Sequence, residues 1–90
     1  MVNIDQYKAL MTEIIQKQIV ILGPNISVLK ARNVKELKIQ DDGTVAELNG
    51  DPQIVLQKLI DEYVALSGLI VKNILGSIMS KYPEIKINVG

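Results

Sequence analysis

The sequence predicts a small α+β domain with two N-terminal helices, a β-hairpin, a long C-terminal helix and a short third strand at the end of the chain. Three observations lead to this prediction. Apolar residues recur at helical spacing at both ends of the sequence, the spacing changes to two in the middle, and glycine-proline signals separate the segments. Residues 1–90 are predicted to form a single domain, because no linker or change of composition divides them.

Two helices are predicted at the N-terminus. Residues 5–22 carry apolar side chains at three- and four-residue spacings, and Asn3 is a suitable N-cap. Gly23-Pro24 then interrupts the pattern, because glycine suits the residue just after a helix and proline suits the first position of the next one. A second, short helix is therefore predicted over residues 24–33, and a single kinked helix is the alternative.

A β-hairpin is predicted over residues 35–48, where apolar and polar residues alternate. Asp42-Gly43 is the dipeptide preferred by a two-residue type I′ turn. A three-residue loop over 41–43 is the alternative, but it would set Leu37 against a glutamate. The two-residue turn instead predicts the pairs Leu37 with Leu48, Lys38 with Glu47, and Ile39 with Ala46.

A long helix is predicted from Pro52 to the turn before Pro83. Asp51 is its N-cap, and Pro83 prevents it from continuing. About thirty residues in one straight helix would span roughly 45 Å. The tail alternates apolar and polar residues and is predicted to be a third strand that pairs with the hairpin of its own chain or of a neighbour; its apolar residues are Ile85, Ile87 and Val89.

This helix has two apolar faces when its residues are placed at 100° intervals. The broader face is predicted to join the core and consists of Leu56, Leu59, Ile60, Tyr63, Leu66, Ile70, Ile74 and Ile78. A second stripe follows steps of four and three residues and is predicted to contact another copy of the chain; it consists of Ala65, Leu69, Lys72, Gly76 and Met79. A monomer that covers both faces is the alternative. Lys72 lies within the apolar stretch, so no membrane span is predicted.

The composition excludes several classes of function. The chain has no histidine and no cysteine, so zinc sites and the usual nucleophile and base pairs cannot form, and no enzyme or cofactor is predicted. Carboxylates are the remaining candidates for metal chemistry, but Asp42 is explained by its turn and Asp51 by its cap, which leaves Asp41 alone. Ten basic and ten acidic residues without a basic cluster argue against nucleic-acid binding.

The predicted function is therefore a non-enzymatic interaction module that forms a homo-oligomer and presents a composite surface to a protein partner. The N-terminus lacks the basic and apolar pattern of a signal peptide, so a cytoplasmic location is expected. The alternative is a sensor or carrier that binds an apolar ligand between its helices. Its candidate groove lies beside Gly23-Pro24 and is lined by Ile21, Leu22, Ile26 and Leu29.

Overall fold

A computed structural model describes residues 3–87 and has the predicted order of elements. The predicted α+β class is confirmed, with three helices and a two-stranded antiparallel hairpin. The elements are α1 (Ile4–Leu22), α2 (Pro24–Arg32), β1 (Leu37–Ile39), β2 (Val45–Leu48) and α3 (Pro52–Ile78), followed by a 3-10 turn at Met79–Lys81.

Local capping explains where the helices begin. The Asn3 side chain accepts a hydrogen bond from the backbone N–H of Gln6 at 2.9 Å. The Asp51 carboxylate accepts one from the N–H of Gln53, also at 2.9 Å. Gly23 separates α1 from α2 with a φ of 88°, which glycine adopts easily. The two N-terminal helices are therefore distinct, as the Gly-Pro pair predicts.

The hairpin turn differs from the prediction. Gln40 pairs with Thr44 across a three-residue loop, Asp41 to Gly43, because the Gln40 N–H donates to the Thr44 carbonyl and the Gly43 N–H donates to the Gln40 carbonyl, both at 2.9 Å. A type I′ turn needs positive φ at both central residues, whereas only Gly43 has it here, at 92°. Asp42 instead accepts a hydrogen bond from the Thr44 N–H, which favours the longer loop.

The outer register of the hairpin is nevertheless the predicted one. Leu37 pairs with Leu48 and Lys38 with Glu47, but Ile39 lies opposite Val45 and not Ala46. An irregularity between Lys38 and Ile39 absorbs the extra residue of the loop. This arrangement buries Ile39 and Val45 and leaves Ala46 exposed.

The predicted third strand is absent from the described residues, whose sheet contains only β1 and β2. Residues 85–87 have no strand geometry, and Val89 lies outside the described range. The tail is held differently: Ile85 is buried in the core, and the Gln53 side-chain amide donates a hydrogen bond to the Lys86 carbonyl. The tail is therefore held by one buried side chain and one side-chain hydrogen bond, and not by backbone hydrogen bonds to the hairpin.

α3 is not one straight rod. Ser67 has φ −163° and ψ 107°, which divides α3 into α3a (residues 52–66) and α3b (residues 68–78). A straight helix from Gln53 to Lys81 would span about 42 Å, yet the longest dimension of the molecule is 33 Å. Lys81 also bonds to Glu13 in α1, and Lys86 to Gln53 at the start of α3a. α3b therefore turns back towards the start of α3.

The bend changes which residues join the core. The predicted face is interrupted after Tyr63, because Leu66 is 37% exposed and Ile70 is half-buried, and it resumes at Ile74 and Ile78, which are buried as predicted. Val71 and Leu75 are buried in place of Leu66 and Ile70. α3 thus supplies two packed helical segments, and the remaining core comes from α1, α2, Val34 in the loop after α2, the hairpin and Ile85.

Candidate interaction surface

The helices that lead from the two corners are joined by one buried contact. The buried Tyr63 hydroxyl donates a hydrogen bond of 2.8 Å to the Ser27 carbonyl and so ties α3a to α2. Ser27 follows the Gly23 corner by four residues, and Tyr63 precedes the Ser67 corner by four. Four residues are about one helical turn, so each corner lies roughly 6 Å along its own helix from the residue that makes this contact.

Large apolar side chains are exposed at both corners. We define the corner patch as Ile21, Leu22, Leu66 and Leu69, which lie within two residues of Gly23 or Ser67. Their exposed fractions run from 36% at Leu22 to 71% at Leu69. Val20, at 82%, and Leu29, at 60%, extend the exposed apolar surface along α1 and α2. Summed over these six side chains, the exposed apolar area is on the order of 400–600 Å².

The two stretches of chain that form the corners carry no charged residue, although Lys17 lies beside Val20 and Arg32 beside Leu29. No charged residue occurs from Gln18 to Leu29, nor from Tyr63 to Val71. Each uncharged run contains one corner, so lysine or glutamate side chains do not interrupt the patch along the chain. An uncharged apolar surface favours a partner surface that is also apolar, and it offers no opposite charge to bind a charged ligand.

The structure exposes three of the four residues of the predicted groove. Ile26 is half-buried, whereas Ile21, Leu22 and Leu29 are exposed. Of the four, Leu29 lines an open surface groove of about 390 Å³. The other residues around it are Pro24, Asn25, Val28, Arg32 and Asp41. The predicted residues therefore contribute mainly to the outward-facing patch.

The predicted interface stripe is exposed but interrupted. Ala65, Leu69, Lys72 and Gly76 are exposed, and Met79 is half-buried. Ala65 belongs to α3a and the next three residues to α3b, so the bend at Ser67 separates them. Leu69 is the member shared with the corner patch. Leu66 was predicted to lie in the core, and Val20 was not predicted to be a site residue. Both lie in the two uncharged runs of the sequence, which is the signal that could have identified them.

The acidic candidates have structural partners. Asp41 forms a 2.9 Å ion pair with Arg32, and Arg32 also donates to the Ile39 carbonyl. The N–H of Thr44 bonds to the carboxylate of Asp42 and lowers its pKa, while Asp51 caps α3. Within residues 3–87, no three acidic residues lie close enough to hold a metal ion.

A polar cluster holds the end of α3 against α1. Glu13 accepts hydrogen bonds from the Lys81 ammonium at 2.7 Å and from the Tyr82 hydroxyl at 2.6 Å. These two bonds, the one from Lys81 first, lower the pKa of Glu13. Burial, and then the Glu13 carboxylate, raise the pKa of Tyr82 to about 12. The cluster therefore fastens the segment after α3b to α1.

Comparison with known proteins found no family model, no curated protein and no solved structure that matches this chain. In the part of the chain that the structure describes, the helices are too short or too polar to cross a membrane. The exposed apolar residues at the two corners are thus the surface feature that most calls for a functional explanation.

Proposed function

We propose that this protein is a non-enzymatic interaction module that self-associates through the corner patch. The observation that supports the proposal is the concentration of exposed, uncharged aliphatic side chains around Gly23 and Ser67. Fully burying one such side chain is worth about 1.5–3 kcal/mol, so leaving several of them in water is costly. A second surface that covers them would recover part of that cost.

A second copy of the chain is the occupant that the patch fits best. In a twofold dimer the same patch meets itself, and a surface without charge meets no repulsion from its own copy. A standard interface buries about 800 Å² on each partner, and the fully buried centre of such an interface is its most apolar part. The exposed apolar area around the two corners is large enough to form that centre. The dimer would then offer a composite surface to a further protein.

The test compares two lysine substitutions in α3. Leu69→Lys places a charge in the corner patch, and Ile54→Lys places one at the far end of α3a, where Ile54 is similarly exposed at 56%. Size exclusion with light scattering over a hundredfold range of concentration would measure the dissociation constant. We expect wild type and Ile54→Lys to dimerise alike and Leu69→Lys to dissociate at least about tenfold more readily.

Two results would contradict the proposal. One is a monomeric wild type at every concentration. The other is equal weakening by both substitutions, which would show that charge in general, and not the corner patch, controls association. Thermal unfolding of each variant checks that both retain the fold, since both side chains are largely solvent-exposed.

A further inference from the structure

The bend in α3 depends on a single residue. Ser67 alone within α3 departs from helical dihedrals, and its φ of −163° is extended backbone that any residue adopts. No proline lies in the residues around it, and Gly68 is helical. Rotating the backbone at Ser67 would therefore make α3a and α3b one continuous helix without steric obstruction from the sequence.

Two contacts hold the bend. The Ser67 hydroxyl accepts a hydrogen bond from the Ile70 N–H at 3.3 Å and so acts as the N-cap of α3b. The larger contribution is the packing of α3b, which buries Val71, Ile74, Leu75 and Ile78, followed by the Glu13 contacts of Lys81 and Tyr82. These contacts require that α1 pack against α3b, but the α1 helix of a second copy of the chain could provide the same contacts.

A pattern in the sequence is interrupted in the bent form. Ala65, Leu69, Lys72, Gly76 and Met79 follow the four-and-three spacing of a helix that contacts another helix. That stripe is continuous only if α3 passes straight through Ser67. The sequence of α3 is thus compatible with two arrangements, one bent and one straight.

We propose that two copies of the chain exchange α3b by straightening α3 at Ser67. In the exchanged dimer α3b of each copy packs on α1 of the other and remakes the same buried contacts, including the pair Glu13 and Lys81. Such an exchange changes the connection at the hinge and little else, which makes it a low-cost route to a dimer. It goes beyond the self-association proposed above, because straightening α3 at Ser67 removes one of the two corners and changes the surface around Leu66 and Leu69.

The ion pair between Glu13 and Lys81 provides the decisive test. Equal amounts of ¹⁵N-labelled and unlabelled wild-type chain are unfolded and refolded together, and the dimer is isolated. A carbodiimide then joins the carboxylate of Glu13 to the amine of Lys81, and mass spectrometry reads the linked peptides. Exchange predicts that about half of these linked pairs combine a labelled with an unlabelled peptide. Linked pairs of one isotope only would overturn the proposal.

Two substitutions at the hinge should act in opposite directions. Gly68→Pro fits the bent form, since proline suits the first position after an N-cap and Ser67 already has the extended backbone that precedes proline. A Cβ added at Gly68 meets Val64 at 3.9 Å, an ordinary contact. In a straight helix this proline would clash with the preceding turn. We expect the ratio of exchanged dimer to monomer to fall at least tenfold in Gly68→Pro. The same ratio should rise at least about threefold in Ser67→Ala, which loses the cap.

The two proposals fail in different ways. If Leu69→Lys weakens the dimer but the dimer contains no mixed pairs, association through the corner patch is supported and the exchange is overturned. Mixed pairs at wild-type level in folded Gly68→Pro would also overturn it, because that variant cannot straighten. A wild type that remains monomeric even after refolding at high concentration would contradict both proposals.

Discussion

Glycine in this chain has a structural role that depends on position, as Gly43 and Gly76 show. Gly43 is buried at the hairpin loop with a φ of 92°, and a Cβ there would lie 2.9 Å from Ile19 and 3.0 Å from Ile15. Gly76 lies on the exposed side of α3b, and a Cβ there would meet nothing within 4 Å. The hairpin tip can therefore approach α1 only because residue 43 has no side chain.

Alanine at these two glycines should affect stability in opposite directions. Gly43→Ala combines positive φ with the close contacts and should lower the free energy of unfolding by about 1–3 kcal/mol. Gly76→Ala should raise it by about 0.5–1 kcal/mol, because alanine is the better helix former. Urea denaturation at low protein concentration measures both. A neutral Gly43→Ala would mean that the loop can move away from α1 at little cost.

At the scale of elements, the features that could be predicted from the sequence are those that depend on neighbouring residues, above all where each helix begins. Helix starts follow from Asn3, Pro24 and Asp51, whose capping effects act within a few residues. The bend at Ser67 was missed because Ser-Gly is tolerated within a helix, and the return of α3b depends on tertiary packing. The three-residue loop at Asp42 was only the alternative prediction for a related reason: Asp-Gly suits two turn types, and the choice between them depends on contacts beyond the hairpin.

The candidate site was predicted in part for the same reason. Leu69 and the last two residues of α1 were recognisable as surplus apolar surface. Leu66 was assigned to the core, since an uninterrupted helix would place it on the buried face. Only the change of direction at Ser67 turns that side chain outward to 37% exposure.

The contact between α2 and α3a should depend on one hydroxyl. Tyr63 is fully buried, and its hydroxyl donates to the Ser27 carbonyl. Tyr63→Phe removes the donor and leaves a buried carbonyl without that partner, at a cost of about 1–2 kcal/mol. Tyr7→Phe is the matched control, because its half-buried hydroxyl donates to the Gln53 side chain at 3.0 Å and should cost less, about 0.5 kcal/mol. Equal losses by chemical denaturation would show that burial does not distinguish the two bonds.

At the scale of the whole molecule, the cluster of Glu13, Lys81 and Tyr82 joins residues that lie 68 and 69 positions apart. It fastens the returning segment after α3b to the middle of α1. The lowered pKa of Glu13 means that the folded state favours the charged carboxylate. Its contribution to stability is complete above the unfolded pKa, near 4.3, and is lost as the pH falls through the folded value.

Removing this charge should therefore have a pH-dependent effect. We expect Glu13→Gln to lower the free energy of unfolding by about 1 kcal/mol at pH 7, a modest value because water partly screens the cluster. The difference from wild type should shrink as the pH falls below about 4. At the alkaline limit the raised pKa of Tyr82 gives a second loss, which begins near pH 10 and is complete beyond about 12.

Glu47→Gln provides the control for this pH dependence. Glu47 pairs with Lys38 at 3.2 Å in the hairpin, where both side chains are more than half exposed. Such a pair contributes roughly 0–0.5 kcal/mol. Thermal unfolding between pH 3 and pH 7 should thus separate the two variants. A Glu13→Gln difference that stayed constant over this range would show that the carboxylate acts through shape and not through charge.

The return of the tail to Gln53 affects how the protein can be joined to other chains. Tyr7 and Lys86 both bond to the Gln53 side chain, so the two ends of the described chain lie side by side. Along α3a this position is about 15 Å from Tyr63 and the corner patch. A fluorescent tag joined near either limit of residues 3–87 would therefore start about 15 Å or more from the corner patch.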